Sequence, residues 1–174
     1  MRAATLHNRI AESALPRAQA AVLVLGLGNS LLGDDGAGVE AVRRLQQNRD
    51  LPSRARILDG GTLSFSLLQD IESADALIVV DAAQLGEPPG TVRVFQDEGM
   101  DRFLQGRRAC SVHEVSLLEL LDMARLTAQL PQRRAFVGIQ PERIDWATEV
   151  SPSVAAGLDI AGQHIRALLA RYSL

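Results

Sequence analysis

Cysteine, aromatic residues and long apolar runs are scarce in this sequence, and each scarcity excludes a class of protein. The single cysteine, Cys110, in 174 residues cannot form an internal disulfide framework and is typical of a reducing compartment. Aromatic residues make up only 3% of the chain, which argues against stacking platforms for single-stranded nucleic acids. No apolar run approaches the ~20 residues of a membrane helix. We therefore expect a cytoplasmic protein with no nucleic-acid and no membrane partner.

Several common catalytic signatures are also absent. The sequence has no G-x-S-x-G nucleophile elbow and no Walker lysine. His113-Glu114 begins like the zincin motif HExxH, but position 117 is leucine rather than the second histidine. Cys110 lies three residues before His113, yet spacing alone does not bring a nucleophile to its base, and cysteine is commonly a small buried residue. What remains possible is an active site assembled from separate segments.

The residues that are present predict one globular domain with an aliphatic core. Hydrophobic residues make up 47% of the chain and charged residues 22%, with a net charge of −3. Short apolar runs separated by helical patterns predict an α/β fold in three layers, with a twisted, mixed and mostly parallel five-stranded sheet between helices. The predicted strands are residues 21–25, 55–58, 76–80, 91–95 and 135–139.

Residues 1–20 are predicted to be an N-terminal extension, followed by a single α/β domain over 21–174. The extension carries charges throughout and lacks the apolar segment of a secretory signal. The alternating segment 91–95 is predicted to be an edge strand, antiparallel to its predecessor. The polar segment 97–110 is predicted to be irregular. Ser151 and Pro152 predict the start of the last helix.

The stretch Val22–Glu40 organises the chain, because it joins a buried strand to a helix through a polar loop. The loop contains two adjacent carboxylates, Asp34 and Asp35, just before the helix that follows Gly36. Ligands of open α/β sheets bind in the crevice beyond the carboxyl ends of the strands. Two acids at this place predict a bound cation or a polar substrate. The alternative is that one of them caps the helix.

Another acid and a histidine extend this candidate site. Asp81 ends the apolar strand 76–80, so it borders the same crevice as Asp35 if the first and third strands are neighbours. His113 lies at the entrance of a leucine-rich helix, where its alternative role is structural. Two carboxylates and an imidazole suit a borderline divalent ion such as zinc or nickel. Asp35, Asp81 and His113 are therefore candidate metal ligands.

A dinucleotide-binding reading competes with the metal site. Gly26 and Gly28 follow the first strand, and Asp59 stands where a ribose-binding acid would end the second strand. However, the third glycine position is Leu31, and the acids at 34 and 35 would repel a pyrophosphate at the helix N-terminus. A nucleotide-binding α/β module remains one alternative.

Four segments in order give the sequence a resemblance to a known family. The segments GLGNSLLGDDGAG, DGGT at Asp59, IVVDA ending beside Asp81 and SVHEVSL around His113 resemble the nickel–iron hydrogenase maturation endopeptidases. The resemblance extends over about residues 21–168. It implies a mixed sheet between helices and a peptidase domain over 21–174.

The resemblance also implies a function. Such an endopeptidase removes the C-terminal extension of a nickel–iron hydrogenase large-subunit precursor after nickel insertion, and recognises the bound nickel. The family's metal-binding positions correspond to Asp35, Asp81 and His113, and its DGGT acid to Asp59, which is implicated in substrate choice or cutting. Asp35 or Asp59 is then the candidate general base that activates the water. The alternative is metal-assisted cleavage, in which the ion itself lowers the pKa of the water. Nickel is supplied by the precursor, and no organic cofactor is expected. A nickel-binding maturation chaperone or sensor without proteolysis is the second alternative.

Overall fold

The computed structural model describes residues 22–47, 51–62, 65–106 and 112–173, without the side chains of residues 112–116. Its five strands are β1 (Val22–Leu27), β2 (Ala55–Gly61), β3 (Ala76–Ala82), β4 (Val92–Gln96) and β5 (Arg133–Ile139). Its helices are α1 (Ala37–Gln46), α2 (Leu68–Glu72), α3 (Glu98–Gly106), α4 (Val112–Leu126) and α5 (Pro152–Tyr172). Two 3₁₀ turns cover Asp34–Gly36 and Phe65–Leu67.

The strands form one five-stranded sheet in the order β2-β1-β3-β5-β4. β1 pairs in parallel with β2 and β3, and β3 pairs in parallel with β5. β4 is antiparallel to β5. The predicted three-layer α/β fold with a mixed, mostly parallel sheet is therefore confirmed.

Two apolar clusters cover the two faces of the sheet. On one face, the side chains of Val24, Ile78 and Val137 pack against α1 and α5. On the other face, Leu25 and Val79 pack with apolar residues of α2, α3 and α4. The central strands are apolar on both sides, as expected for parallel strands covered by helices. We call these the α1/α5 face and the α4 face.

The predicted start of the last helix is also confirmed. Ser151 is the N-cap of α5, and its hydroxyl accepts a hydrogen bond from the N–H of Val154 at 3.3 Å. Pro152 occupies the first helical position, where its missing N–H leaves no intrahelical bond unmade.

The prediction of an irregular segment over 97–110 was wrong for residues 98–106, which form helix α3. Met100 and Leu104 are buried against the α4 face. α3 is tied to the sheet by Arg134, whose guanidinium donates two hydrogen bonds to Asp101, at 2.5 and 3.0 Å. These bonds raise the pKa of Arg134, so the cation stays charged although it is largely buried.

β4 is an antiparallel edge strand as predicted, but its partner is β5 and not its predecessor β3. β5 is buried from Arg134 to Ile139, whereas β4 is only half-buried. The strand that is apolar on both faces takes the interior position, and the alternating strand takes the edge.

No helix within the described ranges is long and apolar enough to cross a membrane. The predicted extension over residues 1–20 lies outside the described residues, and so does Cys110.

Candidate active site

The candidate site lies where the strand order reverses, between β1 and β3. From β1 the chain proceeds to β2 on one side, and it then returns to β3 on the other side of β1. A crevice opens at such a switch point beyond the carboxyl ends of the strands. We call this end of the sheet the carboxyl edge. The 3₁₀ turn Asp34–Gly36, which follows β1, contacts β3 at this edge.

Helix α1 starts directly above the ends of β1 and β3, because Gly38 has no side chain. A Cβ at Gly38 would overlap the carbonyl oxygens of Val80 and Leu27. The close approach directs the N-terminus of α1, with its unpaired N–H groups and positive dipole end, toward the crevice. Carboxylates at this edge therefore lie in a favourable field.

Asp34 has a structural role that connects two distant parts of the chain. Its carboxylate accepts hydrogen bonds from the N–H groups of Glu142, Arg143 and Ser151, at 2.9, 3.2 and 2.5 Å, and from the Ser151 hydroxyl at 2.9 Å. Burial would raise the pKa of Asp34, but these hydrogen bonds outweigh it and lower the pKa below the usual 3.8. Asp34 thus fastens the loop 142–151 to the carboxyl edge.

The structure does not support the alternative that Asp34 or Asp35 caps helix α1. The N-cap of α1 is Gly36, and no side chain caps it. Asp35 is 7% exposed, and its Oδ2 accepts a hydrogen bond from the N–H of Asn29 at 3.1 Å. Gly28 has a φ of 131°, and a Cβ there would overlap the carbonyl oxygen of Asp35. The glycine turn thus wraps closely around Asp35.

Asp81 is the second-last residue of β3, at the carboxyl edge, and is 0% exposed. Val80 and Ala82 belong to the α1/α5 cluster. Because side chains alternate along a strand, the Asp81 side chain points to the α4 face. The predicted neighbourhood of β1 and β3 is confirmed, so the loop with Asp35 and the strand end with Asp81 border one crevice.

His113 lies in the first turn of α4, and its side chain is outside the described set. The C-terminal end of α4 lies near the amino end of β3. The Thr127 hydroxyl, just after α4, donates a hydrogen bond at 2.7 Å to the carboxylate of Glu72, which precedes β3 in the chain. The first turn of α4 therefore lies toward the carboxyl edge, on the face to which Asp81 points. Among the residues with described side chains, no group of three His, Cys, Asp or Glu could hold a metal ion.

Asp59 points to the other face of the sheet. Its carboxylate accepts hydrogen bonds from Arg43 of α1 at 3.2 Å and from the N–H of Gly61 at 3.0 Å. Its side chain is 37% exposed, so solvent and a substrate chain can reach it. The backbone of Asp59 pairs with Gly26, so Asp59 lies beside the crevice without sharing a face with Asp81.

The structure thus brings the backbones of the four candidate positions toward one edge, and it places the side chains of Asp59 and Asp81 on opposite faces of the sheet. Asp35 and the buried Asp81 flank the switch point, and Asp59 lies on the α1/α5 face. The loop 142–151 is a part of the site that sequence reasoning missed. Its only local signal is the helix start at Ser151, because its partner Asp34 is 108 to 117 residues away in the chain.

This fold and edge define an α/β protein with a crevice rimmed by carboxylates, and comparisons with known proteins identify its family. The hydrogenase maturation protease family HycI matches residues 39–167. The hydrogenase 2 maturation protease of Escherichia coli K12 is 35% identical over 149 residues, which is 85% of this chain and 90% of that protein. A hydrogenase expression/formation protein, HupD of Rhodobacter capsulatus, is 38% identical over 80% of this chain and 67% of its own length.

A solved structure agrees with these matches. The hydrogenase maturating endopeptidase HybD from E. coli superposes with a TM-score of 0.80 at 34% identity, and the match covers 86% of this chain and 92% of that one. Across five hydrogenase expression/formation proteins, the chain spans 58–68% of the relative's own length. The chain belongs to the hydrogenase maturation protease family, the endopeptidases that process the hydrogenase large subunit. The predicted family and enzyme class are thereby confirmed.

Proposed function

We propose that this endopeptidase removes the C-terminal extension of a nickel-loaded hydrogenase large-subunit precursor, and that Asp35, Asp81 and His113 recognise the nickel. The observation that supports the proposal is that Asp35 and Asp81 flank one switch point, between the paired strands β1 and β3, and that α4 begins toward the same edge of the sheet. Two carboxylates and an imidazole are a donor set that fits a borderline divalent ion. Nickel belongs to the substrate in this proposal and supplies a recognition contact that only a loaded precursor offers.

Discrimination between loaded and empty precursor then follows from a difference in affinity. The two precursor states differ at the metal contact, so the difference in binding free energy comes from these three side chains.

For the hydrolysis itself, we propose Asp59 as the general base rather than Asp35. Asp35 is largely enclosed, whereas the Asp59 carboxylate is open to water and to a peptide chain. Asp59 accepts a proton as the water oxygen attacks the scissile carbonyl carbon, and it returns the proton to the amine nitrogen when the C–N bond breaks. Arg43 holds the carboxylate in place by its hydrogen bond.

The test replaces Asp35, Asp81 and His113 singly by alanine and measures shortening of the nickel-loaded precursor by mass spectrometry. We expect each replacement to lower the cleavage rate about 100-fold, because it removes one of three metal ligands, and loss of a mere second-shell partner of a metal site already costs about 10- to 100-fold. Asp35→Glu should retain most activity because it keeps the carboxylate. Asp122→Ala is the matched control, because Asp122 is an exposed acid of α4 paired with Arg125.

Retained cleavage in all three alanine variants would refute the recognition proposal. A precursor that is bound but never shortened by the wild-type chain would favour the chaperone or sensor alternative instead.

A further inference from the structure

Three exposed apolar residues, Leu31, Ile144 and Trp146, lie on two hydrogen-bonded loops beside the candidate site. We call these residues the Trp146 surface. Trp146 is the single tryptophan of the chain and is 83% exposed. Leu31 and Ile144 are also exposed. An exposed tryptophan beside exposed aliphatic residues is typical of a protein-binding surface, because such side chains otherwise pack inside.

The backbones that carry this surface are neighbours and are held together by hydrogen bonds. The Ala147 N–H donates to the Leu31 carbonyl at 3.2 Å, and the Gly33 N–H donates to the Ala147 carbonyl at 2.8 Å. Gly33 also forms an isolated bridge with Ile144. The three apolar side chains therefore project from two loops that are joined side by side.

The loop with Trp146 is fixed at both ends. Asp34 accepts hydrogen bonds from Glu142 and Arg143 at its beginning and from Ser151 at its end. A surface that is already ordered loses little conformational entropy on binding, which favours affinity. Exposed charged residues, Glu142, Arg143 and Asp145, neighbour Ile144 and Trp146 in the same loop. An apolar centre with a polar rim is the usual organisation of a binding interface.

We infer that the Trp146 surface is the docking surface for the folded body of the hydrogenase large-subunit precursor. This inference rests on the proposed function. The occupant follows from continuity with the site, since Leu31 belongs to the loop with Asp35 and the opposite loop is bonded to the adjacent Asp34. A precursor whose extension enters the crevice must cover the surface next to it, and the apolar contact gives a binding contribution that does not depend on nickel.

The single tryptophan allows a direct test. The chain is labelled with 5-fluorotryptophan, which gives one ¹⁹F resonance, and unlabelled nickel-loaded precursor is added. We expect the resonance to shift or broaden at stoichiometric precursor and to stay unchanged when the concentration of the labelled chain alone is raised. A resonance unaffected by precursor that is being cleaved would overturn the inference. A change with the chain's own concentration would assign the surface to a second copy and also overturn it.

A kinetic test uses Trp146→Ala with a matched control. We expect KM for the precursor to rise about 10-fold or more with kcat within about 2-fold, the loss typical of a central interface aromatic. Trp146→Phe should restore part of the loss. Leu126→Ala should match the wild type, because Leu126 is 88% exposed but ends α4, away from the carboxyl edge.

The two proposals fail in different ways. Absence of cleavage by the wild-type chain with a normal ¹⁹F shift would overturn the proposed function and keep the docking surface. Normal cleavage by Trp146→Ala at an unchanged KM would overturn the docking surface and leave the proposed function standing.

Discussion

At the scale of single residues, the two adjacent acids have different environments. Asp34 is buried and accepts four hydrogen bonds from the loop 142–151, while Asp35 is wrapped by the glycine turn at the crevice. Because successive side chains of a tight turn point in different directions, Asp34 binds the loop 142–151 and Asp35 borders the crevice. Neither acid caps α1, so the structural role of Asp34 is one that the sequence did not suggest.

We predict that Asp34→Asn lowers the free energy of unfolding by about 2–3 kcal/mol, because an amide places a donor against backbone N–H groups in a buried site. Urea denaturation at pH 7 measures the change. Asp145→Asn is the control, since Asp145 is an exposed acid of the same loop. An equal, small effect of both variants would contradict the structural role of Asp34.

The stability conferred by Asp34 should also depend on pH. The folded-state pKa of Asp34 lies below the unfolded value of 3.8, so the ionised carboxylate stabilises the fold above pH 3.8. This contribution is lost as pH falls from 3.8 through the folded-state pKa. The difference in unfolding free energy between wild type and Asp34→Asn should therefore shrink over this range. A constant difference down to pH 2 would refute the assignment.

At the scale of secondary structure elements, the site depends on how closely α1 approaches the sheet. We predict that Gly38→Ala lowers the free energy of unfolding by about 2–3 kcal/mol, since its Cβ would overlap backbone oxygens that cannot move aside. Thermal and urea unfolding measure the effect, and cleavage should fall as α1 is displaced from the crevice.

Gly162→Ala is the matched control for this substitution. Gly162 lies inside α5, where the nearest heavy atom to an added Cβ is the Arg166 guanidinium at 3.6 Å. This contact is ordinary, so alanine should stabilise the helix by about 0.5–1 kcal/mol. Destabilisation by both variants would mean that glycine is needed for reasons other than close packing.

Elements whose own sequence shows a clear hydrophobic or capping pattern were predictable. Elements whose structure depends on the segments they pack or pair with were not. The apolar run at β3 and the Ser151-Pro152 start of α5 gave correct predictions. Helix α3 was missed because its polar residues obscured Met100, Phe103 and Leu104, which do have helical spacing. The neighbour of β4 was mispredicted because pairing depends on which strand is buried on both faces, a property of the whole sheet.

Some features of the candidate site could likewise be predicted from the sequence, and others could not. Its acids could be located because each ends a strand or opens a helix, and strand ends are recognisable. The opposite orientations of Asp59 and Asp81 depend on register, and the loop bound by Asp34 comes from a segment more than 100 residues away. Local sequence contains neither kind of information.

At the scale of the whole molecule, the arrangement of the crevice argues against a nucleotide ligand. The glycines that suggested a dinucleotide serve internal packing, since a Cβ at Gly28 would overlap Asp35 and a Cβ at Gly26 would overlap the Gly38 carbonyl. We predict that NAD at a millimolar concentration leaves the melting temperature unchanged, because a ligand that does not bind the native state cannot stabilise it. Differential scanning fluorimetry measures this, and a rise of several degrees would favour the nucleotide-binding alternative.

The opposite orientations of Asp59 and Asp81 restrict the shape of any peptide that is held near one and cut near the other. Such a peptide must cross the end of β1, and neighbouring strands are only ~4.8 Å apart. Asp59 and Asp81 are therefore about two strand spacings apart, and an extended segment, which rises ~3.3 Å per residue, needs at least about three residues to connect them. A spacer shorter than this between the held residue and the scissile bond could not reach both acids at once.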